Sequence, residues 1–470
     1  MKHLWHLFMF SVALVVGTSS AHGATLLTTA LLGSNETPPN ASMATGSALV
    51  TLQSDNNTLV VNETFTGLTG GPASAAHIHC CASPGVAAIV AVPFPNFPAA
   101  TSGQYVNSFD LSMAGTYNPA FITANGGTVA SAKAALIAAL KTTQTYVNIH
   151  NATFPGGEIR GPLARTNTHD FNADGRSDIL WYNTTSGQVV NWLISGTTAI
   201  GGGSPGSAAN PWAIVGQRDF NGDGFTDLLW RNSITGQVVI WLLNGTSVIG
   251  GGSPGTVTTD WLVSGTGDFN GDGNGDILWF NLGTGQVVLW FMNGAAVIGG
   301  GSPGTISPFS TAWTVTTGDF NGDGFTDILW FNQGDGTTVI WLLNGTTRIG
   351  SGSPGSVPVS DGWVLAGTGD FNGDGKSDIL WRNTFSGQAE IWLMNGTSMI
   401  GGGSPGSAAN PWTIVETGDF NGDSKSDILW YNFSTGQVVI WLLNGATVIG
   451  GGSPGSASDP PWLIQGMNAD

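Results

Sequence analysis

A nine-residue acidic motif, Asp-Phe-Asn-x-Asp-x-x-x-Asp, occurs six times in the C-terminal two thirds of this chain and constrains its fold more than any other feature. Each copy is followed at once by an aliphatic residue, Leu and Trp. The copies begin at Asp170, Asp219, Asp268, Asp319, Asp370 and Asp419, so the period is 49 to 51 residues. Repetition at this period indicates one supersecondary unit per copy, stacked on its neighbours to bury a shared core.

The second copy shows the strand content expected of one unit. We expect strands over 211–215, 237–243 and 247–249, and a further strand that begins with 228–230 and ends before the turn at Thr235-Gly236. The last two are joined by Asn244-Gly245, a strong signal for a two-residue hairpin turn. The glycine-rich run 250–255 is expected to end the unit. Four antiparallel strands in about 50 residues are typical of a propeller blade.

The two ends of the array indicate how the ring closes. A Trp-containing first strand precedes loops two to six, but residues 164–169 run into the first loop without one. The missing strand appears after the last unit, at 461–464. We therefore expect a six-bladed β-propeller over 164–470, with its first blade completed by the C-terminal strand.

Each acidic loop presents side-chain oxygens at positions 1, 3, 5 and 9, and a backbone carbonyl is available at position 7. Hard cations such as calcium take six to eight oxygen ligands, and one tight turn can supply most of them. Position 6 is glycine in five copies and Ser424 in the sixth. Position 12 is Trp, where an EF-hand has a bidentate Glu, and no helix is expected beside the loop, so these loops are not EF-hands.

The formal net charge of −18 belongs mostly to these loops, because three Asp in each of six loops make 18 of the 30 acidic residues. Six divalent cations would offset most of that charge. The sequence contains no basic patch that could hold phosphates, which excludes a nucleic-acid partner.

The loops resemble the calcium loops of FG-GAP/VCBS repeats, which build integrin-α-type β-propellers. The resemblance covers roughly residues 165–470 and implies up to six bound Ca²⁺ ions, one per loop. The ligands that it implies, at positions 1, 3, 5, 7 (through the carbonyl) and 9, are Asp170, Asn172, Asp174, Arg176, Asp178, Asp219, Asn221, Asp223, Phe225, Asp227, Asp268, Asn270, Asp272, Asn274, Asp276, Asp319, Asn321, Asp323, Phe325, Asp327, Asp370, Asn372, Asp374, Lys376, Asp378, Asp419, Asn421, Asp423, Lys425 and Asp427.

Eighteen of the nineteen tryptophans recur with the repeat. A Trp at the same place in every blade is most simply explained by packing between blades, and sugar stacking on a ring face is the alternative.

The first 23 residues have the features of a secretory signal peptide, with a short apolar run followed by small residues, which predicts an exported protein. No later stretch of about 20 apolar residues suggests membrane insertion. Cys80 and Cys81 are adjacent, and three states remain open for them: a vicinal disulfide, an intermolecular bridge or two buried thiols.

Residues 24–163 differ in composition and predict a separate β-domain. Residues 47–52 and 58–62 alternate like paired strands, and 130–141 predicts one helix. The segments 33–39, 76–79, 146–150 and 154–161 resemble the CHRD domain of chordin and of many exported bacterial proteins. The family usually has Gly after the His-x-His pair, where this chain has Cys80. The resemblance implies an immunoglobulin-like β-sandwich.

Three histidines of this domain, His77, His79 and His150, lie in those segments. On a strand, His77 and His79 point to the same face. If the strand of His150 packs nearby, the three imidazoles could bind zinc or copper. A hydrogen-bond network with Glu158 and Arg160 is the structural alternative. A redox enzyme is a third possibility, because superoxide dismutase has a similar His-x-His strand.

Together these features predict a secreted, calcium-stabilised binding or adhesion protein whose ligand is an extracellular protein or a glycan. A carbohydrate-binding lectin and a metal-dependent N-terminal domain are the alternatives. Charged residues outside the loops are too sparse to suggest a catalytic cleft on the propeller, so we expect no enzyme there.

Overall fold

The computed structural model describes residues 25–53, 55–82, 86–140, 144–163, 169–306, 313–457 and 462–466. Within these ranges the chain forms an N-terminal β-domain followed by a six-bladed β-propeller, which confirms the predicted all-β class. The predicted signal peptide, residues 1–23, lies outside the described residues. No helix in the described part of the chain has the length and hydropathy needed to cross a bilayer.

The N-terminal domain is built on one continuous antiparallel sheet of eight strands. The strands are β1 (Thr25–Leu32), β2 (Thr45–Leu52), β3 (Thr58–Thr66), β4 (Ala73–Cys80), β5 (Ile89–Pro93), β6 (Gly103–Asp110), β7 (Thr145–Asn151) and β8 (Ile159–Pro162). Their order in the sheet is β5-β4-β7-β8-β1-β2-β3-β6. The predicted pairing of 47–52 with 58–62 is confirmed, with Leu52 opposite Leu59.

The sheet folds over so that its two edges meet across a single core. Phe94, directly after β5, stacks on Tyr105 of β6 at the opposite edge, with ring centroids 5.1 Å apart. Fully buried aliphatic side chains from both halves, such as Val61 and Ile78, belong to the same core. The sandwich expected from the resemblance is therefore formed by one sheet folded onto itself.

Two helices pack on this core. Helix α2 (Val129–Leu140) confirms the helix predicted at 130–141, with Lys141 itself outside the described residues. Helix α1 (Pro119–Ala124) is a further helix that the sequence analysis missed. Its first turn is favoured by Pro119 and by Asn118, whose Oδ1 accepts a hydrogen bond from the Ala120 N–H (2.9 Å).

Each propeller blade is a four-stranded antiparallel sheet. The strands are β9 (Ile179–Asn183), β10 (Gln188–Ser195), β11 (Thr198–Ser207), β12 (Trp212–Arg218), β13 (Asp227–Asn232), β14 (Gln237–Asn244), β15 (Ser247–Thr256), β16 (Trp261–Gly267), β17 (Asp276–Asn281), β18 (Gln286–Asn293), β19 (Ala296–Thr305), β20 (Trp313–Gly318), β21 (Asp327–Asn332), β22 (Thr338–Asn344), β23 (Thr347–Gly352), β24 (Trp363–Gly369), β25 (Asp378–Asn383), β26 (Gln388–Asn395), β27 (Ser398–Ser407), β28 (Trp412–Gly418), β29 (Asp427–Asn432), β30 (Gln437–Asn444), β31 (Thr447–Ser456) and β32 (Trp462–Ile464). Blades 2 to 6 begin with β12, β16, β20, β24 and β28, and blade 1 combines β9, β10 and β11 with β32.

The C-terminal strand closes the ring as predicted. Strand β32 pairs antiparallel with β9, and Ile464 lies opposite Trp181. The apolar side chains of the propeller form six main clusters, each shared by two neighbouring blades. Trp462 and Ile464 pack on the cluster between blades 6 and 1. Burial between blades, rather than within one blade, therefore holds the ring together.

The tryptophans of the second strands support the packing interpretation. All six are at most 1% exposed: Trp181, Trp230, Trp279, Trp330, Trp381 and Trp430. The tryptophans of the third strands lie against the glycine-rich outer strand of the preceding blade, as Trp290 does at Gly255.

The glycine-rich run of each unit differs from the prediction. In blade 2, residues 250–255 were expected to end the unit, but β15 continues through them to Thr256. Two bulges let this irregular segment stay paired with β14. The Ser253 hydroxyl donates to the Val238 carbonyl (2.6 Å), beside Pro254, which has no N–H to donate. The prediction was wrong because glycine normally weakens a strand. Here the glycines lie in a bulged strand that is approached closely by the Trp of the next blade, a place where glycine does occur in strands.

The antiparallel path of each blade gives the ring two distinct sides. The acidic loops and the Asn-Gly hairpins lie on one side, which we call the loop face. The connections between second and third strands lie on the other side, which we call the turn face; they span 184–187, 233–236, 282–285, 333–337, 384–387 and 433–436. Leu32 of the N-terminal domain packs against Ala173 and Phe225 of the first two acidic loops, so the domain contacts the loop face.

Candidate metal centres and binding surface

The acidic loop of blade 2 shows how the motif folds. The Asp219 Oδ1 atom accepts hydrogen bonds from the N–H groups of Gly222 (2.7 Å) and Asp223 (3.2 Å), and its Oδ2 atom accepts from Gly224 (2.7 Å). Gly224 has φ +88°, a left-handed conformation that favours glycine at position 6. The Asn221 amide donates to the Asp223 carboxylate (2.9 Å). The predicted ligand residues at positions 1, 3 and 5 are thus gathered in one tight turn.

The aspartate at position 9 has a structural role that the sequence did not indicate. Asp227 is fully buried; its Oδ2 accepts from the Phe220 N–H (2.9 Å) and its Oδ1 from the Leu243 N–H (2.8 Å). The equivalent pair of bonds forms at Asp178, Asp276, Asp327, Asp378 and Asp427. Position 9 therefore fastens each loop to the third strand of its own blade.

Hydrogen bonds also join the six loops to one another in a closed ring. In every blade the N–H of position 8 donates to the position 1 carbonyl of the preceding loop. The pairs are Thr226 to Asp170, Gly275 to Asp219, Thr326 to Asp268, Ser377 to Asp319, Ser426 to Asp370 and Ser177 to Asp419, at 2.6–2.7 Å. Anything that orders one loop therefore also orders its contact with the next blade.

The loops concentrate buried carboxylates. Burial, together with the nearby charge of Asp223, raises the pKa of Asp219 to about 7. Burial likewise raises the pKa of Asp276, at position 9 of the third loop, to about 8. Both causes disfavour the charged forms, and a cation held among these oxygens would offset both. The first loop differs, because Arg176 Nη1 lies 3.3 Å from Asp174 Oδ2 and already pairs with that carboxylate.

The structure brings the three N-terminal histidines together. His77 and His79 lie on β4, and His150 lies on the neighbouring strand β7. The ring centroid of His77 is 5.6 Å from that of His79 and 5.0 Å from that of His150. One ring nitrogen of each residue lies within 4.8 Å of the other two. The condition set in the sequence analysis, that the strand of His150 packs beside that of His77 and His79, is thus met.

Neighbouring groups hold one of these rings, that of His79, in place. His79 stacks on Tyr146, whose centroid is 4.5 Å away, and the Arg160 guanidinium lies 3.6 Å from the centre of the Tyr146 ring. Burial lowers the pKa of both His77 and His79 to about 4, so both rings are neutral at physiological pH. Neutral imidazoles are the form in which histidine binds metals.

The alternative interpretation of the histidines was a hydrogen-bond network with Glu158 and Arg160, and the hydrogen bonds described for these two residues go to other groups. Glu158 accepts hydrogen bonds from Ser42 and Thr69 instead, at 2.6–2.7 Å. Arg160 donates to the Val86 carbonyl (3.0 Å). Of the three states left open for the cysteines, a disulfide bond joining Cys80 to Cys81 is the one observed, directly after His79.

Sequence analysis missed a polar cluster at the centre of the ring. His169 Nδ1 lies 3.3 Å from Glu416 Oε1, and both side chains are fully buried. The Gln217 side-chain amide donates to the Gln465 carbonyl, near the closing strand. Repeat alignment could have given the signal, since Thr-Gly precedes loops three to six whereas Gln217-Arg218 precedes loop two. A cavity of about 260 Å³, with Glu416 in its wall, opens along the inner strands.

Among the described residues, the two most exposed apolar side chains of the propeller lie on the turn face, while isoleucines of the outer strands, such as Ile400 (59%) and Ile249 (58%), are also exposed. Phe385 is 76% exposed, Ile234 75%, Phe433 57% and Leu282 42%. These residues occupy turns whose sequences differ from copy to copy, while the second strands and the acidic loops are nearly invariant. In repeat proteins, per-repeat variation on one face often marks a binding surface.

Comparison with known families agrees with both resemblances. Residues 27–163 match the CHRD domain. Residues 170–230, 219–279, 268–330, 320–381 and 370–430 each match the FG-GAP-like repeat. No curated protein matches the chain.

Several solved structures are similar at low sequence identity. The β-propeller domain of Cps50 (Swd1) from Myceliophteria thermophila is 10% identical, with a TM-score of 0.34; the match covers 63% of this chain and 87% of that one. A luciferin-regenerating enzyme is 9% identical, with a TM-score of 0.34, and covers 60% and 97% of the two chains. A putative 6-phosphogluconolactonase from Bacteroides uniformis is 13% identical, with a TM-score of 0.33, and covers 62% and 97%. Identities and scores at this level do not bear on function.

Proposed function

The chain belongs to the family of FG-GAP-like repeat proteins and carries a CHRD domain before its repeats, and from this premise we propose that it is an exported, calcium-stabilised binding protein. An FG-GAP propeller suggests a protein of the binding or adhesion type. In our proposal the acidic loops bind calcium, the turn face holds an extracellular protein or glycan, and the propeller catalyses no reaction.

The arrangement of the loops supports calcium as the stabilising ion. Each loop gathers carboxylate and amide oxygens in one turn, and calcium prefers oxygen ligands. Burial raises the pKa of the position 1 carboxyl to about 7 in Asp219, Asp319 and Asp419, so charge in the loops is unfavourable without a counter-ion. Extracellular modules bind calcium at about 10⁻⁴ to 10⁻³ M, which suits an exported protein.

The asymmetry of the two ring faces supports the turn face as the binding surface, and this is the observation that carries the binding proposal. The loop face is contacted by the N-terminal domain through Leu32, and its residues are used in the ring of loop-to-loop bonds. The turn face instead exposes Ile234, Phe385 and Phe433, whose burial by a partner would be favourable. The turns are also where the copies vary, so they can confer specificity without altering the blades.

Isothermal titration of the stripped mature protein with calcium tests the first part of the proposal. We expect up to six sites per chain. Asp374→Ala should remove one of them, because it deletes the position 5 carboxylate of loop five. Asp361 is an exposed aspartate between blades 4 and 5, outside the acidic loops. Asp361→Ala is therefore the matched control and should leave the number of sites unchanged. A chain that takes up no calcium would rule out calcium as the stabilising ion.

A lectin is the second candidate function, favoured by the two aromatic side chains Phe385 and Phe433 on the turn face, since aromatic rings stack on sugars. A glycan array probed with the calcium-loaded and the stripped protein tests it. Signals that require calcium and disappear in Phe385→Ser would support a lectin. Signals that remain unchanged in the double variant Phe385→Ser/Phe433→Ser would argue against the turn face as the sugar-binding surface. An array without signals leaves a protein partner as the expected ligand class.

A further inference from the structure

The histidine cluster has features that packing alone does not explain. His77 Nδ1 and His79 Nε2 are buried and have no hydrogen-bond partner among the described residues. The His79 side chain as a whole is only 8% exposed. Leaving a buried polar atom unpaired costs about 1–3 kcal/mol, so two such atoms directed to one place need a reason.

Backbone carbonyls fix which nitrogen is free on two of the rings. His79 Nδ1 lies 2.8 Å from the Ala88 carbonyl oxygen, and His150 Nδ1 lies 3.0 Å from the Pro155 carbonyl oxygen. A carbonyl can only accept, so each Nδ1 carries the proton and donates it. The Nε2 atoms of His79 and His150 therefore carry lone pairs. Donation of the other ring N–H to a carbonyl is the usual arrangement of histidines that ligate metals.

The surroundings of His150 Nε2 point the same way. This nitrogen lies 2.9 Å from the Oδ1 atom of Asn148, a residue only 2% exposed. With the proton on Nδ1, the contact joins two acceptors. Moving the proton to Nε2 would only transfer the same mismatch to the Pro155 carbonyl. A cation beside Nε2 and Oδ1 would interact favourably with both atoms.

We propose that His77, His79 and His150 bind one divalent transition-metal ion, zinc or copper, through one ring nitrogen each. Three neutral nitrogens without a carboxylate favour ions of intermediate softness over calcium or magnesium. Metal–nitrogen distances of about 2.0–2.1 Å place tetrahedral ligands about 3.3 Å apart, so the rings must move closer than their present limit of 4.8 Å. His77 and His150 are half-buried, which leaves a fourth position open to water or to the Asn148 oxygen. This proposal does not depend on calcium binding by the propeller.

Titration of the calcium-saturated mature protein with zinc and with copper tests the proposal. Excess calcium occupies the acidic loops, so their carboxylates do not compete. We expect one ion per chain. Copper should bind more tightly than zinc, because Cu²⁺ has the highest affinity among the divalent first-row metals for a given site and Zn²⁺ lies below it. His79→Ala should weaken binding by about 100-fold or more, since loss of groups that merely orient a ligand already costs about 10- to 100-fold. Asp110→Asn, which changes an exposed carboxylate of the same domain, is the matched control and should bind as the wild type does.

Spectroscopy of the wild-type protein keeps the test valid even if His79→Ala fails to fold. Electron paramagnetic resonance of the copper-loaded protein should show coupling to imidazole nitrogens. A spectrum without nitrogen coupling would overturn the proposal. Failure to bind either ion at equimolar concentration would also overturn the proposal. In that case the Asn148 side-chain amide is turned so that its NH₂ group donates to His150 Nε2, and the cluster is a hydrogen-bond network only.

Discussion

The two regions of this chain achieve stability in different ways. The N-terminal domain closes one sheet around one core, and its buried polar groups, such as Glu63, Asn148 and Glu158, each occur once. The propeller divides its apolar residues among six main clusters between blades and repeats the same buried aspartates in every loop. A defect in the first region is local to a single core, whereas a change that affects every loop acts six times.

The difference also separates the two kinds of candidate metal site. The loop sites use hard oxygen ligands on the loop face of the ring and join neighbouring blades through the position 8 N–H groups. The histidine site uses nitrogen ligands within one domain and joins two strands that are already paired, β4 and β7. Calcium should therefore govern the stability of the propeller, while the histidine metal should affect the N-terminal domain alone.

Removal of calcium should have the largest effect and should act on one region only. At ten times its dissociation constant each site adds RT ln 11, about 1.4 kcal/mol, so six independent sites add at most about 8 kcal/mol. In scanning calorimetry of protein stripped of all metals, we expect the propeller transition to fall by many degrees and the N-terminal transition to stay in place. Readdition of calcium, but not of magnesium, should restore the first transition.

Equal melting of the stripped and the calcium-loaded propeller would contradict this expectation. A fall of both transitions together would show instead that the two regions unfold as one unit. The inference that calcium stabilises the propeller alone would then be wrong.

Deletion of residues 460–470 should produce the next largest effect. It removes strand β32, leaves β9 without its inner partner, and takes Trp462 and Ile464 from the cluster between blades 6 and 1. Loss of two partly buried apolar side chains costs about 2–5 kcal/mol, and the exposed edge favours aggregation. We expect a lower propeller transition with an unchanged N-terminal one. Deletion of 467–470 alone retains β32 and is the control; if both truncations melt like the parent, closure does not stabilise the ring.

Repetition explains why so much of the propeller could be predicted. A strand signal that is weak in one copy becomes clear when six copies agree, and the displaced strand at Trp462 was visible because loop one lacked its partner. The departures from the repeat were not interpreted, and His169 and Glu416 were missed for that reason. Their contact depends on the meeting of the first and last blades, which no local pattern encodes.

The N-terminal domain was less predictable because its decisive contacts are single and distant in sequence. The sequence left open whether the His77 and His150 strands pair, and the carbonyls of Ala88 and Pro155 that orient the rings lie in loops. Nor could the sequence distinguish Glu63, a carboxyl without a partner, from Glu158, which has several.

Those two glutamates allow a smaller test within the N-terminal domain. Both Glu63 oxygens are buried without a hydrogen-bond partner among the described residues, and burial raises the pKa of this carboxyl well above its usual range. For Glu158, burial acts to raise the pKa, but hydrogen bonds from Ser42, Thr69 and Gly70 outweigh it and lower the pKa. Glu63→Met should therefore stabilise the domain at pH 8 by about 1–3 kcal/mol, and Glu158→Met should destabilise it.

The pH dependence gives the sign of the Glu63 effect. A carboxyl whose pKa is raised by folding contributes stability that is fully present below its unfolded pKa of about 4.5 and is lost as the pH rises towards the folded value. The N-terminal transition of Glu63→Met should thus gain on the wild type between pH 5 and pH 8, measured by calorimetry. A constant difference across that range would mean that Glu63 is charged and paired in the folded protein.

The smallest predicted effect compares two loops of the propeller that differ at position 6. Ser424 has φ +63°, whereas Gly375 has φ +87° in the equivalent place, and both N–H groups donate to the position 1 carboxylate at 2.7 Å. The backbone hydrogen bond is thus the same, and the difference is the cost of the left-handed conformation, about 1–2 kcal/mol for a residue with a Cβ atom. We expect Ser424→Gly to stabilise the propeller by about 1 kcal/mol and Gly375→Ser to destabilise it by a similar amount, both measured at saturating calcium. Because the loops are joined through their backbones, each change should also alter the calcium affinity of its own loop in the same direction. If Gly375→Ser leaves both stability and affinity unaltered, glycine at position 6 is not required by the turn, and loop six is equivalent to the other five.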